Sequence, residues 1–385
     1  MKKLSERLWS WATEVDDGAI RQAAAASRLP VVEDHVALMP DAHVGIGATV
    51  GSVIPTRDAV IPSAVGVDIG CGMIATRLDV TAQHLPDSLR PLLPLVEQAV
   101  PAGVGKGHDV STRGAERWLR DHEPASDLTP KQAKTALAQL GSLGAGNHFF
   151  EVCLDEADQV WVVLHSGSRG IGNQLAQQHI GRARQLSKDL GRHLEDPDLA
   201  WFTQGTPEFA AYIGDLLWAQ GYAMANRELM MEAALKEVTA FLGGGQEVER
   251  INCHHNFAQQ ERFGDRLLWI TRKGAIKADI GDRGVIPGSM GTRSYIVRGR
   301  GNEDSWRSCS HGAGRRHSRS AAKRLFTPND LVEQMAGRTW QTNSSINLVD
   351  EIPSAYKDID EVMAAQSDLV EVEHVLHQVL NYKGV

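Results

Sequence analysis

Nowhere in the 385 residues do eighteen apolar residues run together, so no segment is expected to cross a bilayer as a helix. The opening Met1-Lys-Lys-Leu-Ser-Glu-Arg7 places Glu6 and Arg7 where a signal peptide needs its apolar stretch. The expectation is a soluble cytoplasmic protein with no membrane partner. Four cysteines, Cys71, Cys153, Cys253 and Cys309, are too few for a disulfide framework in a chain this long. No internal repeat and no low-complexity linker is present, so no domain boundary stands out. Excess positive charge is also missing: 40 basic against 48 acidic residues leaves −8, which excludes a generic nucleic-acid clamp. Hydrophobic residues at 42 % and charged residues at 23 % exclude a disordered chain or a coiled coil.

What is abundant is histidine, 15 residues, and glycine, 37 residues, and the two coincide in several short strings. The basic residues are also unevenly placed. From Arg293 to Arg324 there are nine (Arg293, Arg298, Arg300, Arg307, Arg315, Arg316, Arg319, Lys323, Arg324) against Glu303 and Asp304. That window is +7 and the remainder therefore −15, a pattern suited equally to a phosphate-bearing ligand held at one place or to a solvated loop.

Apolar runs predict strands at His35–Met39, Met73–Leu78, Phe149–Leu154, Val160–Leu164, Leu267–Thr271 and Val370–Val379. Thr129-Pro130 opens a helix that Gly141 closes, and Thr206-Pro207 opens another that runs with breaks to Phe241. The polar segment 79–141 reads as a peripheral excursion. Strands and helices do not alternate strictly, so the fold class is α+β.

In Gly66-Val-Asp68-Ile-Gly70-Cys71-Gly72, a carboxylate and a thiol share one glycine-flanked turn. The glycines leave little packing to justify a buried thiol, which favours Cys71 as a metal ligand. Cys153, between Val152 and Leu154, reads as a small core hydrophobe. Gly141-Ser-Leu-Gly144-Ala-Gly146-Asn147-His148-Phe-Phe-Glu151 puts polar residues at a strand entrance. His165-Ser-Gly-Ser-Arg169 puts an imidazole and a guanidinium at the end of the run Val160–Leu164. In Cys253-His254-His255-Asn256, adjacent histidines on an extended chain face opposite sides, so one of the two is free to meet a site. One Asp, one Cys and three His exceed a structural zinc set and match no zinc finger, which suggests a catalytic and binuclear site. Ser310-His311-Gly-Ala-Gly-Arg315 lies within the basic window and reads either as a plain turn or as a site in which His311 attacks phosphorus and Arg315 stabilises the charge.

Taken together, Met39-Pro-Asp-Ala-His43-Val-Gly-Ile-Gly47, Val65-Gly-Val-Asp68-Ile-Gly-Cys71-Gly-Met, Gly144-Ala-Gly-Asn147-His148, Leu164-His165-Ser-Gly-Ser-Arg169-Gly, Cys253-His-His255-Asn256, Pro287-Gly-Ser-Met-Gly, Ser310-His311-Gly-Ala-Gly-Arg315 and Tyr382-Lys383-Gly384 resemble the RtcB family of RNA ligases. The resemblance implies a single α+β domain over 1–385, with central β-sheets forming a deep cleft for metal and nucleotide and helices outside. It implies two Mn²⁺ ions bridged by Cys71, with Asp68 and His148 on one and His165 and His255 on the other. Ligand softness alone would have named zinc first. The implied reaction is GTP-dependent joining of an RNA 3′-phosphate or 2′,3′-cyclic phosphate to a 5′-hydroxyl, through guanylyl-His311, in RNA repair or tRNA splicing. Carried over to this chain, the guanylate contacts are Asn147, His148, Phe149, Phe150, Glu151, His255, Asn256, Pro287, Gly288, Ser289, Met290, Ser294, His311, Gly312, Ala313, Gly314 and Lys383. Arg169 is the candidate contact to an RNA phosphate, and a helper protein that assists turnover is among the partners considered.

Two other readings compete. A metal-dependent cyclic phosphoesterase needs the ligands but not His311. A non-catalytic RNA-end sensor needs the nucleotide pocket but no covalent step. His311 and Lys383 together favour the ligase.

Overall fold

The computed structural model describes residues 1–384, so Val385, the last residue of the expected domain, lies outside the described residues. Two large sheets organise the chain. The first has the order β1 (Lys2–Ser5), β2 (Leu8–Ser10), β3 (Val36–His43), β4 (Val50–Thr56), β12 (Arg266–Lys273) and β11 (Asn256–Phe263). Only β2 and β3 pair in parallel in it. The second is antiparallel throughout, in the order β10 (Glu247–His254), β6 (Gly72–Thr81), β8 (Gln159–Ser166), β7 (Phe149–Leu154), β17 (Val370–Lys383), β15 (Arg293–Gly299) and β14 (Arg283–Pro287). Two short pairs, β5 (Ala59–Val60) with β9 (Phe202–Thr203) and β13 (Ala275–Lys277) with β16 (Ser308–Ser310), complete the strands.

The helices are α1 (Asp17–Ser27), α2 (Pro62–Val65), α3 (Leu92–Ala99), α4 (Arg113–Asp121), α5 (Pro130–Gln139), α6 (Arg169–Asp189), α7 (Pro207–Leu242), α8 (Arg319–Leu325), α9 (Pro328–Gln334), α10 (Ser345–Leu348) and α11 (Ile359–Ala364). The class is α+β, and among the described residues no helix is long and apolar enough to cross a membrane.

Period-two alternation gives the second sheet two different faces. One carries Ile74, Leu78, Phe150, Val152, Val162 and Leu164 against Leu92 and Val96 of α3 and Met230, Met231 and Ala234 of α7. The other carries Met73, Ala75, Phe149, Cys153 and Val163. A third cluster joins the sheets to each other through Met39, Val53, Ile270, Ile286 and Val297. Catalytic-type residues that alternate with core residues along these strands therefore emerge on one face only.

The helix after Thr206-Pro207 differs from expectation by running without a break for 36 residues, capped by the Thr206 side chain on Phe209 N and by left-handed Gly243. Gly214 is not a breaker here; a Cβ at that position would come within 2.4 Å of Ala125 Cβ, so it marks close packing instead. Segment 79–141 holds α3, α4 and the expected helix α5. It is tied to α7 where Tyr222 donates to Ala136 O at 2.7 Å and Ser126 N donates to Asp215 at 2.8 Å.

Candidate active site

Backbone register brings the expected metal ligands together. Strand pairing sets His165 opposite both Met73 and Phe149, and His254 opposite Gly72. The Asp68–Cys71 turn, His148 at the entrance to β7, His165 near the end of β8 and His255 between β10 and β11 thus meet at one end of the sheet. Cys71 Sγ lies 3.5 Å from His148 Nε2 and 3.2 Å from His165 Nε2. His165 Nε2 is 3.3 Å from His255 Nε2, and His148 Nε2 is 3.0 Å from Asp68 Oδ2.

The donor set fits a cation. Nδ1 of His165 faces Asn147 O at 3.0 Å, and a carbonyl only accepts, so Nδ1 carries the proton and Nε2 presents a lone pair to the cluster. Burial and the neighbouring imidazoles hold His165 and His255 well below the usual histidine range, so both rings are neutral and able to accept a cation. Burial, then the Asp68 carboxylate, push the Cys71 thiol well up. A thiolate there needs an adjacent cation.

Cys71 is 2 % exposed, which contradicts the expectation that flanking glycines leave it little to pack against. A Cβ on Gly70 would sit 2.7 Å from Ala223 Cβ, and one on Gly72 only 2.1 Å from Cys253 O. The glycines let α7 and β10 close directly onto the turn. Its neighbour in type, Cys153, is buried in the core as expected.

Next to the cluster is a cleft of about 360 Å³, within the roughly 300–1,000 Å³ usual for small-molecule sites. It is lined by Asp68, His165 and His255, by Asn147, Phe149, Glu151 and Asn256, by Pro287–Met290, by His311–Arg315 and by Lys383. His311 sits between the two regions: its ring meets that of His255 edge-on, centroids 4.8 Å apart. Asp41, fully buried, accepts from His311 Nδ1 at 2.6 Å, from His311 N at 3.1 Å and from Gly312 N at 3.2 Å. Burial would push the Asp41 carboxyl up, but His311, together with His43 and Lys357, holds it below the usual range. This fixes Nδ1 as the protonated nitrogen and leaves Nε2 as the nucleophilic one.

At the other end, Lys383 Nζ donates to Glu351 at 2.7 Å, and Glu351 also accepts from the Tyr356 hydroxyl at 2.8 Å and from Arg319. Glu151, behind Phe149, accepts from Asn381 Nδ2 at 2.7 Å, and burial pushes its carboxyl up to about 8.

Several expected contacts lie elsewhere. The Phe150 side chain is in the core with Leu380 and Tyr382, because alternation along β7 gives the cleft to Phe149 and Glu151. Ser294 is buried within β15, opposite Leu376, and is not part of the cleft lining. The Arg169 guanidinium is directed at Ser142 Oγ (3.2 Å) and Lys106 O (3.1 Å), on the side of segment 79–141. The Arg315 guanidinium lies in the cleft wall, but it donates to His317 O at 3.0 Å, the Tyr356 hydroxyl at 2.8 Å and Asp350 O at 2.6 Å.

The basic window does not form one patch. Arg293 pairs with Asp360, Arg298 with Glu373, Arg307 with Asp279 and Glu303, and Arg316 with Glu14. Carboxylates thus hold these four along the surface, while Arg315 and Arg319 stand at the cleft and meet Glu351 there. Residues that the sequence reasoning passed over are Asp41, Lys273, Asp350, Glu351 and Tyr356. Asp41 stood within a quoted string, Met39-Pro-Asp41-Ala-His43, and was the one with a local signal. Lys273 lines the cleft, and burial lowers its ammonium to about 8.

The model of the family described as tRNA-splicing ligase RtcB matches residues 22–384. The RNA-splicing ligase RtcB of Escherichia coli K12 is 45 % identical, over 98 % of this chain and 97 % of that protein. The tRNA-splicing ligase RtcB of Nanoarchaeum equitans is 30 % identical over 92 % and 88 %, and the RNA-splicing ligase RtcB of Mycobacterium bovis 30 % identical over 89 % and 95 %.

Proposed function

The chain belongs to the tRNA-splicing ligase RtcB family and is an RNA ligase; from that membership we propose that it joins RNA 3′-phosphate or 2′,3′-cyclic phosphate ends to 5′-hydroxyl ends, using GTP and a guanylyl group carried on His311. RNA repair or tRNA splicing is the process this serves. One observation carries the reading: His311 is oriented by a buried carboxylate at the junction of a nucleotide-sized cleft and a Cys/His/Asp cluster.

In this mechanism Nε2 of His311 attacks the α-phosphorus of GTP, the bond to the bridging oxygen breaks and pyrophosphate leaves. Asp41 holds the productive tautomer and offsets the positive charge that develops on the ring. An oxygen of the RNA 3′-phosphate then attacks the same phosphorus, the P–N bond breaks, and His311 is restored. The 5′-hydroxyl oxygen attacks the activated 3′-phosphorus, its proton passes to solvent and GMP departs. A cyclic end is first opened by water.

Cys71, Asp68, His148, His165 and His255 are the residues that would hold two Mn²⁺ ions, which when bound polarise phosphate oxygens and lower the pKa of a hydroxyl or water. Phe149 offers its ring to the base. Lys383, held by Glu351 and 5.4 Å above that ring, faces the nucleotide with positive charge. Arg315 braces Tyr356 and the Asp350–Glu351 turn from the cleft wall.

The test is ligation of an RNA carrying a 3′-phosphate and a 5′-hydroxyl, with Mn²⁺, in the presence of GTP, ATP or no nucleotide. Joined product is expected with GTP alone. Equal joining without nucleotide would overturn the proposal, and opening of cyclic ends without any joining would favour the phosphoesterase.

A further inference from the structure

Two consecutive residues at the middle of α7 touch every segment that carries a proposed metal ligand, yet neither points into the cleft. Asn226 and Arg227 are both 0 % exposed. Asn226 Oδ1 accepts from Gly141 N at 2.7 Å and Ser142 N at 3.1 Å, the start of the turn that runs to His148. Its Nδ2 donates to Ser142 O, Ser166 Oγ and Gly167 O, each at 3.2 Å, beside His165. Arg227 Nη1 donates to Gly70 O at 2.8 Å, inside the Asp68–Cys71 turn, and to Ser166 O at 3.0 Å. Its Nε donates to Asn252 Oδ1 at 2.7 Å, and Nη2 lies 3.1 Å from His254 Nδ1, on the strand that leads to His255.

A fully buried guanidinium persists only where its donors are used, because desolvation of an unsatisfied charge is costly. Here the donors go to backbone and neutral side chains of three different ligand-bearing segments, and no carboxylate sits directly on the fork. A planar fork fixes the relative position of what it binds, which an ammonium on a flexible stem does not. Asn226 adds the fourth segment through the same helix turn.

We propose that Asn226 and Arg227 are positioning residues that set the Asp68–Cys71 turn, His148, His165 and His255 at ligand distance before metal binds. This rests on the ligand assignment under Proposed function. Groups behind metal ligands typically change metal affinity by about 10–100-fold when altered. Arg227→Lys keeps the charge and loses the fork; Asn226→Ser keeps a small polar group and loses the four-way tie.

The experiment uses full-length, metal-free protein. Mn²⁺ affinity is read from the electron paramagnetic resonance of free Mn²⁺, and Co²⁺ is added separately to read the near-ultraviolet thiolate-to-metal band. Each variant is expected to bind Mn²⁺ about 10–100-fold more weakly than wild type and to shift or weaken the Co²⁺ band. A purely structural role would lower the urea midpoint of the metal-free protein while leaving both readouts of the folded protein unchanged, and that result overturns the inference. If Arg227→Lys does not fold, Asn226→Ser carries the same comparison. A wild-type protein with no thiolate band, matched in affinity by Cys71→Ser, would instead overturn the ligand assignment itself.

Discussion

Glu351→Gln isolates the charge that organises the Lys383 end of the cleft. The wild-type carboxylate is 3 % exposed and is approached by Lys383, Arg319, Arg315 and the Tyr356 hydroxyl. Burial alone would push it up; Lys383, Arg319 and Arg315 outweigh burial and take it from 4.5 down to about 2. A carboxyl with a depressed folded-state pKa stabilises the fold above its unfolded pKa, and that contribution disappears as pH falls through the folded one. That depression corresponds to about 3 kcal/mol at pH 7, falling to about half of that at pH 3. Glutamine cannot titrate, and it leaves buried cations short of one counter-charge, so the deficit at pH 7 is expected at about 3–5 kcal/mol. Urea unfolding followed by tryptophan fluorescence at pH 7, 5, 4 and 3 measures the gap between wild type and variant. The gap should be largest at pH 7 and should narrow below pH 4.5. A gap that stays constant from pH 7 to pH 3, or none at pH 7, would refute the reasoning. Because Lys383 loses its anchor, the variant should also raise KM for GTP.

Asp41→Asn should keep the fold and slow guanylyl transfer by roughly 10²–10⁴-fold, since the amide favours the wrong tautomer of His311; a single-turnover assay with an unchanged rate would remove Asp41 from the mechanism. Cys71→Ala should lose bound metal and ligation together, whereas Cys153→Ala should retain both and lose only packing energy, and elemental analysis with full metal occupancy in Cys71→Ala would contradict the shared-ligand role. Arg315→Lys cannot reproduce donation to His317 O, Tyr356 and Asp350 O at once, so it should lower the melting temperature and the ligation rate in parallel. A rate loss with wild-type melting would mean that Arg315 meets phosphate directly.

How much of this was legible beforehand follows the range of each interaction. The strands over Phe149–Leu154, Val160–Leu164 and Val370–Val379 stand where apolar runs placed them, because burial of one sheet face writes a local pattern. Two expectations failed for one reason: the breaks expected in the helix after Thr206-Pro207 and the sparse packing expected around Cys71 both overlooked that Gly214 and Gly70 are places where a distant element comes close. The pairing of Arg293 with Asp360 and Arg298 with Glu373 could not be read from the basic window, since the carboxylates lie about seventy residues away or more in the chain. Phe150 was carried into the nucleotide site with its neighbours, although period two assigns it to the core. Asp41 was readable within its string, whereas Asn226 and Arg227 look like ordinary polar residues of a long helix. Their partners come from four separate segments, and no local pattern records that.

The central claim is that His311 carries the guanylyl group. Wild type, His311→Ala and Asp41→Asn are incubated with Mn²⁺ and GTP labelled at the α-phosphate, then denatured and separated. The account predicts one label per wild-type chain, lost in acid and kept in alkali as a phosphoramidate is, absent from His311→Ala and slow to appear in Asp41→Asn. An unlabelled wild-type protein that still joins RNA, or a label that persists in His311→Ala, would contradict it.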